Sequence, residues 1–160
     1  AALPRSAPHI PDTPFEAMVA EYCEIKGNYF LVVADRLSGW IEIKRVTRNS
    51  EASGTKGFIQ CLRILFSIFG VPKELSSDGG PEFKSQATTE FLRRWGFEHR
   101  ISSAYYPQSN GRAELAAKTT KRLLHDNTGR GGDLDNDSFL RALLTLRNTL
   151  IHHVEYLKLK

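Results

Sequence analysis

The apolar period of the sequence changes near residue 50, and this change limits the possible fold more than any other feature. Three runs of apolar, β-branched or aromatic residues precede it, at 15–25, 28–36 and 40–46. The dipeptides Lys26-Gly27 and Ser38-Gly39 separate these runs, so the pattern predicts a three-stranded antiparallel meander. Residues 51–70 then place apolar side chains at steps of three and four and end at Gly70. That spacing predicts a helix with one apolar face.

The rest of the chain continues with both kinds of element. We predict strand, helix, strand, helix and helix, in that order, at residues 72–78, 84–96, 97–102, 110–127 and 138–150. Asp135 or Asp137 is a candidate N-cap of the last helix. The element order βββαβαβαα predicts an α/β fold with a five-stranded mixed sheet flanked by helices. Residues 1–14 hold four of the seven prolines, which predicts an extended lead-in.

The length and composition fit one intracellular domain. A chain of 160 residues can bury a proper hydrophobic core. The net charge of +4 favours a polyanionic partner, although many basic domains bind no nucleic acid. The longest apolar run, "YFLVVA", is too short to cross a membrane. Cys23 and Cys61 lack the spacing of a zinc site or a disulfide framework, so a reducing compartment is expected.

Three carboxylates stand where strands and helix ends can bring them together. Glu21 interrupts the apolar stretch "MVAEYC", Asp78 ends the predicted fourth strand in "SSDGGPEF", and Glu114 follows the loop "YYPQSNG". Taken alone, Asp78 is typical of a turn and Glu114 of a helix N-terminus. Converging carboxylates need a cation between them, and Mg²⁺ prefers such oxygen ligands. Two such ions would support in-line phosphoryl transfer on a polynucleotide.

Four segments together resemble one known family: "YFLVVADRLSGW", "FGVPKELSSDGGPEF", "WGFEHRISSAYYPQSNGRAELAAKTTKRLL" and "LDNDSFLRALLTLRNT". They are similar to the integrase catalytic core of gypsy-type long-terminal-repeat retrotransposons, a relative of retroviral integrases. The resemblance makes residues 15–150 a catalytic core-like domain and residues 151–160 a divergent or truncated tail. It implies an RNase H-like fold, a DDE-type metal triad, and 3′-end processing and strand transfer of DNA. It also implies a homodimer or higher multimer in the nucleus, with no membrane and no small-molecule substrate as partner.

The resemblance assigns a role to each of the three carboxylates. Asp78 falls on the family's second acidic position and Glu114 on its third, with residues 79–113 between them. Glu21 falls on the first position, where the family has Asp. The three would hold Mg²⁺ or Mn²⁺ as a two-ion site. Asp35 in "VVADRLSGW" is the competing candidate, but the family's Asp in this segment accompanies the first acid. Asp35 is instead expected to pair with Arg36 or an exposed neighbour, or to support the turn into the third strand.

The long helix and the loop before it carry the predicted DNA contacts. Lys118 and Lys121 follow Glu114 at i+4 and i+7, on one helix face. Lysines at matching family positions contact element DNA by neutralising phosphate. The alternative is an ordinary solvated helix face. The loop that borders the active site in the family corresponds here to a segment that includes Tyr105, Gln108, Ser109 and Asn110.

The presence of Glu at position 21, where the family has Asp, leads to two functional hypotheses. One extra methylene moves the carboxylate by about 1 Å, and a misplacement of that size can reduce a rate by around a hundredfold. The first hypothesis is therefore an integrase catalytic core with severely impaired or lost transfer. The second is a catalytically inactive nucleic-acid-binding or dimerising module derived from a retrotransposon integrase. A metal titration followed by a strand-transfer assay separates them.

Overall fold

A computed structural model of the protein describes residues 12–46, 51–77, 81–97 and 107–158. Its elements are β1 (Ala17–Ile25), β2 (Asn28–Asp35), β3 (Ile41–Val46), α1 (Glu51–Phe69), β4 (Glu74–Ser77), α2 (Pro81–Lys84), α3 (Gln86–Arg94), α4 (Pro107–Asn127) and α5 (Asp137–Lys158). Within the described residues the strands form one sheet in the order β3-β2-β1-β4. None of the helices in those ranges has the length and apolar character needed to span a membrane.

Two short turns join β1, β2 and β3 into the predicted antiparallel meander. Lys26 and Gly27 both have positive φ, 53° and 80°, as expected for a two-residue turn whose twist matches the paired strands. At the second turn, the Asp35 carboxylate accepts hydrogen bonds from the amide and hydroxyl of Ser38, at 3.0 and 2.6 Å. Gly39 follows with φ 77°, a conformation that glycine adopts without steric cost.

β1 is the central strand and carries two hydrophobic cores on its two faces. It pairs antiparallel with β2 and parallel with β4, where the register runs from Ala17↔Glu74 to Ala20↔Ser77. Met18 and Ala20 join the core that α1 and α3 cover. Val19 and Cys23 pack against the core that α4 and α5 complete. The sheet is therefore flanked by helices on both faces, as predicted.

Arg147 on α5 fixes that helix to the edge of the sheet. Its Nε donates a hydrogen bond to the carbonyl of Ile41 at 3.1 Å. Its Nη2 donates to the Glu42 carboxylate at 3.1 Å. The guanidinium also lies 4.3 Å from the centre of the Trp40 ring. These charge-assisted and cation–π contacts join α5 to β3.

In the part of the chain that the structure describes, the sheet has four strands, and the sequence predicts five. The fifth predicted strand, at 97–102, lies almost wholly outside the described residues, so it stays a prediction. The structure also contains α2, a single turn of helix that begins at Pro81 and was not predicted. A four-residue helix is too short to show a helical period. Proline is nevertheless favoured at its first position, because proline's φ already suits a helix and its missing N–H is not needed there.

The helix ends differ from the predictions by a few residues. The predicted helix at 84–96 is α3, which starts after the N-cap Ser85 and stops before Gly96 at φ 77°. Helix α4 begins three residues earlier than predicted, at Pro107, where proline is again the first residue. Helix α5 continues beyond the predicted end at residue 150, to Lys158.

The predicted caps of α5, Asp135 and Asp137, were wrong by one residue. The cap is Asn136, whose Oδ1 accepts a hydrogen bond from the Phe139 amide at 2.7 Å. Asn and Asp are about equally good N-caps, so sequence preference could not decide between adjacent positions. Asn136 also donates to the carbonyl of Asn127 at 3.1 Å. That bond to the end of α4 is available to an amide and not to a carboxylate.

Candidate active site

Glu21 lies in the middle of β1, on the face that α4 covers. It pairs with Val32 of β2 and comes directly after Ala20, the last β1 residue paired with β4. Side chains alternate along a strand, so Glu21 shares its face with Val19 and Cys23. The Glu21 side chain is 32% exposed. The Glu21 carboxylate therefore lies where the core beneath α4 meets solvent.

Lys121 on α4 contacts this carboxylate directly. The ammonium Nζ of Lys121 donates a hydrogen bond to Oε1 of Glu21, and the pair forms a salt bridge. The Lys121 side chain is 39% exposed, so solvent screens the attraction. Ion pairs of this exposure contribute about 0.2 to 1 kcal/mol to stability. Sequence reasoning predicted Lys121 as a DNA contact, but did not predict its pairing with a residue a hundred positions away.

Cys23 lies beside this pair, and both charges affect the pKa of its thiol. Burial raises the pKa of the Cys23 thiol to about 11, while Lys121 lowers it and Glu21 raises it by a smaller amount. The thiol therefore stays protonated at neutral pH, and thiolate is the form that binds metal or attacks as a nucleophile. Cys61, in the core on the other face, also has its pKa raised to about 11 by burial.

Helix α4 is held close to the sheet by a stripe of small and apolar side chains. Ala116, Ala117, Thr120 and Leu124 are all buried, at the i, i+4 and i+8 spacing of one helix face. The Thr120 hydroxyl is satisfied within the helix, by donating to the carbonyl of Ala116 at 2.8 Å. Two alanines let the helix approach the strands closely. The packing of these side chains sets the distance between α4, which carries Lys121, and β1, which carries Glu21.

Lys26 in the β1–β2 turn and Asn28 at the start of β2 form hydrogen bonds at the C-terminal end of α4. Lys26 Nζ donates to the carbonyls of His125 and Thr128, at 2.8 and 3.1 Å. Asn28 Nδ2 donates to the Arg130 carbonyl at 2.9 Å. The Lys26 bonds satisfy carbonyls at a helix C-terminus, where a cation also interacts favourably with the helix dipole. The local sequence marks Lys26 only as a turn residue, because its partners are about a hundred residues away.

The other predicted site residues are described only in part. Asp78 and Tyr105 lie outside the described residues, and Asp78 directly follows Ser77, the residue paired with Ala20. Glu114 lies within α4, and its side chain is outside the description. Lys118 is described and exposed.

Three predicted loop residues belong to a helix instead. Gln108, Ser109 and Asn110 were predicted in a loop, but they occupy the first turn of α4, which begins at Pro107. Their side chains lie outside the described part of the chain. Over the residues that are described, no group of three His, Cys, Asp or Glu side chains could hold a metal ion. Asp78 is not among those residues, so the predicted triad stays a prediction.

Asp35, the competing first acid, has a structural role. It is fully buried and accepts hydrogen bonds from the Phe15 amide at 2.9 Å as well as from Ser38. The suggested pairing with Arg36 is wrong, because Arg36 donates to the Glu74 carboxylate at 3.1 Å. The suggested role in the turn is confirmed. Asp35 thus ties β2 to the start of β1 and to the turn before β3.

Comparisons with known proteins agree on one family. Residues 12–107 match the family model described as the integrase core domain. An uncharacterized protein of Caenorhabditis elegans is 33% identical over 141 residues, which are 88% of this chain and 11% of that protein. The Gag-Pol polyprotein of gibbon ape leukemia virus is 36% identical over 147 residues, covering 86% of this chain and 8% of the polyprotein.

A solved structure shares the fold. The crystal structure of the catalytic core domain of BIV integrase aligns with a TM-score of 0.66 at 18% identity, over 91% of this chain and 99% of that one. By contrast, the chain spans only about a tenth of the length of the two sequence relatives. The match is therefore to one domain of much longer proteins.

Proposed function

This chain belongs to the integrase core domain family, and from that premise we propose that it is a catalytic core for metal-dependent polynucleotidyl transfer on DNA. The proposed reactions are 3′-end processing and strand transfer. The proposed metal ligands are Glu21, Asp78 and Glu114. The observation that carries the proposal is the position of Glu21, a partly exposed carboxylate in the middle of the central strand on the face of α4. Membership of the gypsy-type branch stays a prediction.

The strand register supports Glu21 and Asp78 as partners. Ala20 and Ser77 are the last paired residues of the parallel strands β1 and β4. Glu21 and Asp78 are the next residues along the chain, each about 3.8 Å from its predecessor, Cα to Cα. Because neighbouring strands lie about 4.8 Å apart, a continuation of this register would let the two carboxylates share ions. Glu114 is on α4, two helical turns before the lysine that contacts Glu21.

The chemistry of the described ligand fits Mg²⁺ or Mn²⁺. Lys121 occupies Oε1 of Glu21, and Oε2 has no hydrogen-bond partner among the described residues. Hard cations prefer carboxylate oxygens and water, whereas zinc favours thiolate and imidazole. When bound, two divalent ions would activate the attacking oxygen and stabilise the leaving one.

The residues of the chain would hold and orient the DNA for this reaction. Lys118 is exposed on α4 and would bind a backbone phosphate as a point charge. Lys121 would do the same once it leaves Glu21. Tyr105, Gln108, Ser109 and Asn110 are the remaining proposed DNA contacts, at the start of α4 and just before it. Binding by phosphate neutralisation predicts an affinity that falls steeply with salt.

A second function is favoured by the Glu21–Lys121 contact. In this structure the first acid is already neutralised by an ammonium of the same chain. That arrangement suits a catalytically inactive module that keeps the fold and binds DNA or a second copy. Exposed apolar side chains at i and i+4 on α1 (Ile64, Ile68) and on α5 (Leu140, Leu144) support self-association. Sedimentation would measure the multimer, and a fluorescent fusion would test the proposed nuclear location.

A strand-transfer assay tests the catalytic proposal. The chain, with a functional integrase context supplied, is incubated with labelled DNA ends and Mg²⁺, beside its Glu21→Asp and Asp78→Asn variants. We expect weak transfer by the natural chain, at least tenfold more with Glu21→Asp, and none with Asp78→Asn, because a ligand displaced by about 1 Å loses up to a hundredfold in rate. Equal activity of the natural chain and Glu21→Asp would show that the extra methylene is harmless. DNA binding without products from any variant would establish the inactive module.

A further inference from the structure

The contact between Lys121 and Glu21 occupies a carboxylate that the proposed function assigns to metal. The ammonium of Lys121 donates to Oε1 of Glu21. Both side chains are about one third exposed, 39% and 32%, so ions from solvent can reach them. Two oxygens on one carboxyl group cannot bind an ammonium and a divalent cation at full strength, because the two cations repel each other at such short distance. Metal and Lys121 therefore compete for the same group.

We propose that Lys121 is the resident counter-ion of Glu21, and that a divalent cation binds Glu21 as the ammonium leaves. This inference rests on the proposed function, because it takes Glu21 as a metal ligand. In the metal-free protein, Lys121 neutralises a carboxylate at the border of the core. That neutralisation lowers the attraction of the site for free cations. Lys121 is thus a regulatory residue of the site as well as a DNA contact.

A DNA phosphate is the group that would draw the Lys121 ammonium away from Glu21. Lys118 lies one helical turn before Lys121 on α4 and is exposed, so a DNA backbone lying along this part of the helix would meet both ammonium groups. The long flexible stem of lysine lets its ammonium move between nearby anions. A phosphate that takes Lys121 frees Glu21 for metal. Binding free energies are reciprocal, so DNA would strengthen metal binding and metal would strengthen DNA binding.

A Mn²⁺ titration tests this coupling without any measurement of activity. The dissociation constant of Mn²⁺ is measured by calorimetry for the natural chain, Lys121→Gln and Arg122→Gln, with and without a 20-base-pair DNA duplex. Arg122 is exposed on the same helix, so its replacement removes an equal charge without touching Glu21. We expect Lys121→Gln to bind Mn²⁺ about tenfold more tightly and Arg122→Gln to change less than about threefold. The duplex should tighten Mn²⁺ binding several-fold in the natural chain and Arg122→Gln, and much less in Lys121→Gln.

The outcomes separate this inference from the proposed function. Glu21→Gln is titrated in the same way and should weaken Mn²⁺ binding. If it does so while Lys121→Gln and Arg122→Gln bind Mn²⁺ with equal affinity, the counter-ion role is overturned and the metal site remains. The absence of Mn²⁺ binding in every variant overturns both. Amine labelling provides a second measurement that needs no substitution at Lys121. Mg²⁺ should raise the methylation rate of Lys121 several-fold relative to Lys118, and an unchanged ratio contradicts the release of the ammonium.

Discussion

Replacement of Lys26 by methionine removes the cation that closes the C-terminal end of α4. The change keeps the length and apolar stem of the side chain and deletes two hydrogen bonds, 2.8 and 3.1 Å long, to helix carbonyls. A hydrogen bond contributes about 0.5 to 1.5 kcal/mol net, and a cation at a helix C-terminus about 0.3 to 1 kcal/mol. Because Lys26 is exposed, we take the lower part of the sum, about 1 to 2 kcal/mol. For a chain of this size that loss lowers the melting temperature by roughly 3 to 8 °C.

The two cysteines allow the loss of stability to be measured separately on the two faces of the sheet. Cys23 packs in the core under α4, and Cys61 packs in the core on the opposite face. If Lys26→Met lets α4 open more often, thiol labelling of Cys23 should speed up by about five- to thirtyfold, the factor that 1 to 2 kcal/mol implies. Labelling of Cys61 through openings of α1, which leave the Lys26 contacts intact, should change much less. The control is Lys56→Met, an exposed lysine on α1, for which a stability change within about 0.5 kcal/mol is expected.

Two results would refute the reasoning. If Lys26→Met and Lys56→Met unfold at the same urea concentration, the contacts of Lys26 contribute nothing to stability. If Cys23 and Cys61 accelerate equally, both thiols are labelled only through global unfolding, and the expected separate opening of α4 is refuted.

Three further predictions use other contacts of the same helices. Arg147→Met should lower the free energy of unfolding in urea by about 2 to 3 kcal/mol, since charge-assisted bonds between α5 and β3 are lost, whereas the exposed Arg141→Met should stay within about 0.5 kcal/mol. Gly132→Ala should destabilise the chain by at least about 1 kcal/mol, because φ is +65° and the new Cβ would lie 2.5 Å from a side-chain carbon of Asn28. The control Gly129→Ala would place its Cβ in open space, so it should leave the thermal unfolding temperature nearly unchanged. The pKa of Cys23, about 11 in the folded state against 9.0 normally, means that the unfolded state loses its proton first. Stability should therefore fall as the pH rises from about 9 to about 11, and the fall should be smaller in Cys23→Ser.

Local signals in the sequence were sufficient for most of the sheet and helices. The dipeptide Lys26-Gly27 predicted a hairpin turn, and its positive φ values confirm the geometry that such turns require. Gly70 and Gly96 predicted helix ends, and both have positive φ immediately after a helix. Helix boundaries were less predictable. Asn136 and its neighbours Asp135 and Asp137 are all good caps, so the choice depended on a bond to the end of α4.

The candidate site was predictable in position and not in its electrostatics. The resemblance placed Glu21 in the middle of the first strand, and the structure confirms that location. The sequence also placed Lys121 on the face of Glu114, through the i, i+7 spacing of a helix. Its contact with Glu21 depends on how far α4 lies from β1, which is set by packing at Ala116 and Ala117. No local pattern encodes such a distance between elements that are a hundred residues apart.

The division of β1 between two cores has a consequence for insertions and deletions. Loss of Ala17, or gain of one residue beside it, would shift every following side chain of β1 to the opposite face. Met18 and Ala20 would then meet α4, and the carboxylate of Glu21 would be forced among the phenylalanines on the other side. The strand therefore tolerates the exchange of one carboxylate for another far better than a change of a single residue in its length. Among diverged copies of this sequence, those that still fold should differ in β1 by substitution alone.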